Sequence, residues 1–389
     1  MATTRPRNRK AAIALAAAEL FCARGFHNVS IESVAQVVGI TGPAIYRHFP
    51  TKQAMLAAAL DDLSAAFVDC VHSAERLQVA LAALVRFTFD RRAVTRLYQW
   101  QGRYLSRESS AMLAERYDSA VSALRGMLLD TRPELSKRDA SVLVAAALSV
   151  VASPATHRTA RTGAAAEQTI LDCAMAVLAA DLPPTEPHAE RSPAGDALLE
   201  LLPRRERLLS EAIRLFHQRG YHEVSIADIG AAAGINASSV YRHYASKAEL
   251  LAAAYYRATS RLELATAEAL AGAGTREQAL SRLVDTYVRI TFEQADLAAV
   301  YVSESDNLPA ADLRQLRIAQ RGHVNTWVDL ASIVDGEVPA LVRFRVHAAL
   351  NAVTDLARSQ GASVTEARAA ELARVVVLCS RARSAQSGR

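Results

Sequence analysis

Two clusters of side chains in this sequence carry the hydrogen-bond donors that a polyanion requires. Tyr46, Arg47 and His48 are followed by Lys52, and Tyr241, Arg242 and His243 are followed by Lys247 at the same spacing. A guanidinium also matches the O6 and N7 acceptors of guanine. The sequence offers little for catalysis. It has no phosphate-binding glycine loop, no zinc-ligand spacing and no nucleophile elbow, and His157 and His188 stand alone near loops. Cys22, Cys70, Cys173 and Cys379 lie scattered in apolar stretches without metal or redox spacing. They read as buried free thiols in a reducing compartment. No enzyme, metal site or cofactor is expected.

The elements that position these clusters form a repeat. Residues 9–60 align with 204–255 without a gap, with 20 identities. In the first copy a helix over 8–24 places Ile13, Ala17, Leu20 and Phe21 on one face, and Gly25 stops it. Ser30 is the N-cap of a second helix that ends at Gly39. Thr41 caps a third helix containing Tyr46, Arg47 and His48, and Lys52 opens a long fourth helix after a turn through Pro50. In the second copy Ser225 and Asp228 form a capping box, Gly234 is the stop and Asn236 the next cap. Two short helices joined by a tight glycine-containing turn predict a helix-turn-helix. Charge agrees: residues 1–60 hold seven Lys/Arg against two Asp/Glu, which equals the net charge of +5 of the whole chain. Basic charge gathered at the modules is a nucleic-acid footprint.

Length and composition bound the rest. The 389 residues are 51% apolar, with 16 Gly and 12 Pro and little strand-like alternation, which predicts an all-α chain. Pro183, Pro184, Pro187 and Pro193 mark a linker. The expected domains are a first helix-turn-helix domain over 1–55, a first helical effector domain over 56–181, the linker over 182–202, a second helix-turn-helix domain over 203–250 and a second effector domain over 251–389. Effector helices are expected near 76–105, 108–130, 136–152 and 164–181, then near 275–294, 296–306, 309–334, 337–360 and 363–383. Arg5, Arg7, Arg9 and Lys10 before Ala11–Ala18 mimic a signal peptide, but the aligned segment 204–220 lies mid-chain, so a helix with a basic arm is expected. The uncharged run Ala140–Thr156 is shorter than the ~20 residues of a bilayer span and reads as a buried helix.

The pattern Leu20-Phe21, Gly25-Phe26, Val29-Ser30-Ile31, Val34-Ala35, Gly39-Ile40, Tyr46-Arg47-His48-Phe49 and Lys52 resembles the DNA-binding domain of TetR-type transcriptional regulators. So does Leu215-Phe216, Gly220-Tyr221, Ile226, Ile229, Gly234-Ile235, Tyr241-Arg242-His243-Tyr244 and Lys247. The double arrangement resembles a group of tandem regulators of actinobacteria, some linked to lipid or sterol uptake. The resemblance implies that Tyr46, Lys52, Tyr241 and Lys247 grip phosphates and that His48 and His243 pack on the backbone or touch phosphate. It places Thr41, Gly42, Pro43, Ala44 and Arg47 in the major groove in the first module, and Asn236, Ala237, Ser238, Ser239 and Arg242 in the second. Ser30 and Ser225 join this DNA-facing set, and Arg5 and Arg7 of the basic arm would enter a minor groove.

The resemblance further implies a small molecule held among the effector helices. Phe87, Trp100, Arg103, Tyr104 and Tyr117 are the candidates in the first half; Tyr287, Tyr301, Glu304, Asn307 and Trp327 are those in the second. The expected protein is a cytoplasmic, nucleoid-associated repressor that binds a double-stranded DNA operator and is relieved by a small hydrophobic effector, lipid, acyl or sterol-like. The two units would pack as an intrachain pseudo-dimer, with a homodimer of chains as a further assembly. An architectural DNA-binding protein without an effector is the alternative. No membrane partner is expected.

Overall fold

The computed structural model describes residues 9–95, 97, 104–157, 159, 163–185, 201, 203–359, 361 and 363–379. Arg5, Arg7, Trp100 and Arg103 lie outside them, as does most of the expected linker. Every element among the described residues is helical, and the chain divides into two units, Met1–Ala180 and Asp181–Arg389.

In the first unit, α1 (Arg9–Arg24), α2 (Ile31–Val38) and α3 (Gly42–Tyr46) form the first module, and α4 (Lys52–His72) leaves it. One stripe of α1, with Ile13, Ala17 and Phe21 fully buried, packs on Val34, Ile45, Met55 and Leu56. Ile13 and Phe21 each contribute roughly 1.5–3 kcal/mol by leaving water. The α2–α3 turn requires the left-handed backbone of Gly39, φ 71°, where a Cβ would be strained. The Ser30 hydroxyl accepts from Ser33 N at 3.1 Å and fixes the start of α2. Thr41 sits at the N-cap of α3 with no side-chain cap bond, contrary to expectation.

The helix expected over 76–105 is not continuous. It is interrupted: α5 (Leu77–Asp90) breaks at Arg91 with φ −119° and ψ 28°, and α6 (Arg92–Thr95) follows. Arg92 explains the break. Its guanidinium donates to Pro154 O at 2.7 Å, His157 O at 2.9 Å and Thr159 O at 3.0 Å, which ties the turn to the loop after the fifth long helix of the unit. That helix, α8 (Lys137–Ala152), lies between α7 (Arg107–Thr131) and α9 (Ala164–Ala179). With the turn that follows it is long and apolar enough to pass as a membrane span. It instead buries Val142, Leu143, Val144, Ala147 and Val150 inside the unit.

The second unit repeats the order. α10 (Arg204–Arg219), α11 (Ile226–Ala232) and α12 (Ala237–Tyr241) form its module, followed by α13 (Lys247–Ala271). Its effector helices are α14 (Arg276–Glu293), α15 (Ala295–Glu304), α16 (Ala310–Asp335), α17 (Pro339–Ser359) and α18 (Glu366–Val377). Gly234, φ 72°, repeats the left-handed turn. One polar feature lies deep in the α16–α17 corner: Arg345, fully buried, pairs with buried Asp335 at 2.8 Å and with Glu337 at 3.3 Å. A charge buried there persists only because its partners are in place.

Candidate nucleic-acid interface

Each module anchors its third helix by a single apolar side chain and leaves the rest outward. Ile45 is the buried residue of α3, and Val240 that of α12. Tyr46 and Tyr241 are 54% and 56% exposed, large aromatic side chains that contribute nothing to the core. Thr41, Pro43, Arg47 and His48 are exposed, with Gly42 and Ala44 half-buried; Asn236, Ser238, Arg242 and His243 are exposed, with Ala237 and Ser239 half-buried. Short helices with outward polar N-termini are the part of a helix-turn-helix that reaches base edges.

The two heads differ in their local bonding. Asn236 Oδ1 accepts from Ser239 N and from Ser238 Oγ, both at 2.8 Å, so it caps α12 with the oxygen that a two-point contact to adenine would need. Arg242 donates to Ser239 Oγ at 2.7 Å, a contact impossible in the first head, where Ala44 occupies that position. Ser225 and Asp228 form the expected capping box. The hydroxyl accepts from Asp228 N, and Asp228 Oδ2 accepts from Ser225 N at 2.8 Å. The Ser225 hydroxyl, which donates to Oδ2 at 2.6 Å, and the Ser225 amide hold the Asp228 carboxyl below the usual range. Ser30 and Ser225 thus serve as helix caps at the edge of the surface.

Lys52 and Lys247, expected at phosphates, turn their ammonium groups onto the loop between the first and second helices of their own modules. Lys52 Nζ donates to Phe26 O at 3.0 Å, His27 O at 3.4 Å and Val29 O at 2.8 Å, and lies 4.9 Å from the Phe26 ring centroid. Lys247 Nζ donates to Tyr221 O at 2.6 Å and Val224 O at 2.7 Å, 4.3 Å from the Tyr221 ring centroid. The loop carbonyls have no helix to bond to, so a cation at the start of the next helix satisfies them. Burial pulls both lysines below their usual pKa. Glycine-aromatic-x-x-Val followed by Lys 23 residues after the Val was visible in both modules. The direction of the side chain was not.

Of the residues expected to line a ligand site, Tyr104, Phe87 and Glu304 touch the heads. In the first unit Tyr104 stacks on Phe26, with centroids 4.5 Å apart and planes inclined by 13°. In the second, Glu304 is 1% exposed; it accepts from Tyr221 N at 3.3 Å and from Asn307 Nδ2 at 2.9 Å. Tyr117 stacks on Phe67, and half-buried Phe87 packs against the core of the module. Tyr301 donates to Gln320 Oε1 at 3.2 Å. Tyr287 and Trp327 close around His323, whose Nε2 accepts from Trp327 Nε1 at 3.0 Å, and burial lowers the His323 pKa to about 4. A cavity of about 460 Å³ opens elsewhere in the second unit, between α10, α13 and α16. Arg205, Glu206, Glu249, Arg257 and Asp312 line it with Leu209 and Tyr256. It is a charged groove, and none of the expected ligand residues lines it. Among the described residues no cluster of three or more His, Cys, Asp or Glu could hold a metal ion.

Each unit carries one helix-turn-helix head, the geometry that places a short helix against base edges in DNA-binding modules. The family described as bacterial regulatory proteins, tetR family, matches residues 13–59 and again 208–254, the two modules. Both modules of the chain are thus similar to the DNA-binding domain of that family. Among curated proteins, the HTH-type transcriptional activator FasR of Mycolicibacterium smegmatis is 33% identical over 106 residues, 26% of this chain and 48% of FasR. The chain thus spans about half the length of that relative. Among solved structures, a TetR-family transcriptional regulator from Bordetella parapertussis is 21% identical, covering 45% of this chain and 93% of its own, with TM-score 0.41. PfmR from Thermus thermophilus is 23% identical, covering 44% and 95%, with TM-score 0.40. The ketosteroid transcriptional regulator KstR2 of Mycobacterium tuberculosis is 20% identical, covering 45% and 93%, with TM-score 0.39.

Proposed function

We propose that this chain is a sequence-specific transcriptional regulator that reads an asymmetric operator with two unlike heads. The observation that carries the reading is the pair of exposed third helices on two modules of one family. Between them, Thr41-Gly42-Pro43-Ala44 differs at every position from Asn236-Ala237-Ser238-Ser239. Tyr46, Arg47, His48 and their counterparts supply donors for backbone phosphates, which carry no sequence information directly. The differing residues carry the base readout. One chain supplies both reading heads, so two half-sites are expected about one DNA turn apart or a small multiple of it. The protein works on DNA in the cytoplasm and represses by occupying its operator. A small hydrophobic effector, lipid, acyl or sterol-like, binds among the effector helices and weakens that hold. Binding of effector and of DNA are then reciprocally coupled. The bracing of Tyr221 by Glu304 and of Phe26 by Tyr104 supports the coupling, because each joins an effector segment to a head.

Selection from random double-stranded DNA tests the reading. Two dissimilar half-sites at fixed spacing are expected, and a perfect palindrome would favour like heads from two chains. A thermal-shift screen of lipids then separates an effector-controlled regulator from an architectural protein, since a ligand of the folded state raises the melting temperature by mass action. A second reading of the sign, activation, is favoured by the name of the relative FasR. A promoter–reporter assay with and without the protein decides between the two.

A further inference from the structure

The first head carries an acidic side chain where a DNA-binding surface least tolerates one. Glu32 lies in the first turn of α2 and is exposed. Its Oε1 stands 3.8 Å from the point where a Cβ on Gly42 would lie, so the carboxylate flanks the first residue of α3. It forms no hydrogen bond or ion pair with any other described residue. The second head differs in both respects. Ala227 occupies the matching position, and the neighbouring acid, Asp228, is engaged by the Ser225 amide and hydroxyl. Gly42 is matched by Ala237, so the first head has a free carboxylate beside a bare backbone where the second has two methyl groups.

Next to phosphates a carboxylate is repelled, and beside guanine O6 and N7 it meets only acceptors. The base edge that suits it in the major groove is the amino group of cytosine. Gly42 leaves the way open, because no side chain on that residue comes between Glu32 and the groove floor. Resting on the DNA-reading function proposed above, we infer that Glu32 is a specificity-determining residue of the first head. It accepts from a cytosine N4 amino group at one position of the first half-site, and the second half-site has no such position.

The test is selection from random duplex DNA with the wild-type chain, Glu32→Ala and Glu32→Gln, followed by titration of the wild-type site and its variant at the implicated pair. Thermal unfolding of each variant serves as the folding control. A cytosine is expected at one position of the first half-site, and replacing it should weaken wild-type binding about 5- to 150-fold, the range of one side chain–base contact. E32A should bind both DNAs equally while leaving the second half-site unchanged. E32Q should move the preference at that position towards adenine, whose N6 and N7 suit an amide. An E32A profile identical to wild type at every position overturns the inference. So does a uniform gain in affinity for all sequences, which would make Glu32 only an electrostatic brake. If the wild-type chain enriches no sequence at all, the DNA-reading function itself fails, a result distinct from either.

Discussion

Replacing Lys52 or Lys247 with methionine separates a structural cation from a phosphate-binding one. Methionine keeps the length and apolar stem of the side chain and removes the charge. Lys52→Met removes two good hydrogen bonds to carbonyls, at 2.8 and 3.0 Å, a weaker one at 3.4 Å, and the cation above the Phe26 ring. A bond from a charged donor is worth roughly 1.5–3 kcal/mol when well buried. The loop is only half-buried and water replaces part of each bond, so about 1 kcal/mol apiece is appropriate. The ring adds about 0.5 kcal/mol. The expected destabilisation is therefore about 2–3 kcal/mol. For a unit of this size that lowers the melting temperature by about 5–10 °C. At Lys247 two short bonds and a closer ring predict a destabilisation of similar size. Calorimetry reads the stability, and DNA titrations across a salt series read the charge facing the phosphates. Removing one cation that neutralises a phosphate should reduce the salt slope by ~0.9. The inward geometry predicts that the slope moves by less than about a third of that. A variant with unchanged melting and a slope reduced by the full amount would show that the ammonium reaches outward on DNA, and the reasoning would be refuted.

Gly230→Ala should damage the second head alone, because a Cβ there would lie 2.8 Å from Ile235 O and 3.1 Å from Val240 Cγ2. The expected cost is about 1–3 kcal/mol with weaker binding to the second half-site, measured by unfolding and half-site titration; the first head already holds Ala35 at the matching position. His323 is held neutral by burial, with its pKa lowered to about 4 from 6.5. The unfolded chain then binds the extra proton first. The second unit should be fully stable above pH 6.5 and lose up to roughly 3 kcal/mol as pH falls towards 4, a slope that His323→Gln should remove. Arg345→Ala strands buried Asp335 and should cost about 3–5 kcal/mol, whereas the simultaneous change of Arg345, Asp335 and Glu337 to apolar residues of similar size should recover most of the stability. Equal destabilisation of the single and triple variants would show that packing, not charge, dominates that corner.

Local rules carried the modules. The buried stripe of α1, the serine caps of α2 and α11, and the glycines at 39 and 234 each act within a few residues of chain, so periodicity and spacing expose them in sequence. The gapless repeat of that pattern made the two heads visible from the order of residues alone. The ends of the effector helices were less legible. The break at Arg91 follows from a guanidinium bonded to carbonyls more than sixty residues away, which no local window contains. The same holds for the functional surface. Sequence identified Lys52 and Lys247 as special but not where they point, because the carbonyls that hold them come from a loop more than twenty residues earlier. The contacts of Tyr104 with Phe26 and of Glu304 with Tyr221 likewise join residues distant in the chain. Glu32 and Gly42 lie ten residues apart and meet only through the fold. The sequence by itself determined that the chain is helical and that two heads exist. Only the tertiary structure decided which charged groups are satisfied internally and which remain free for DNA, because that depends on partners distant in the chain.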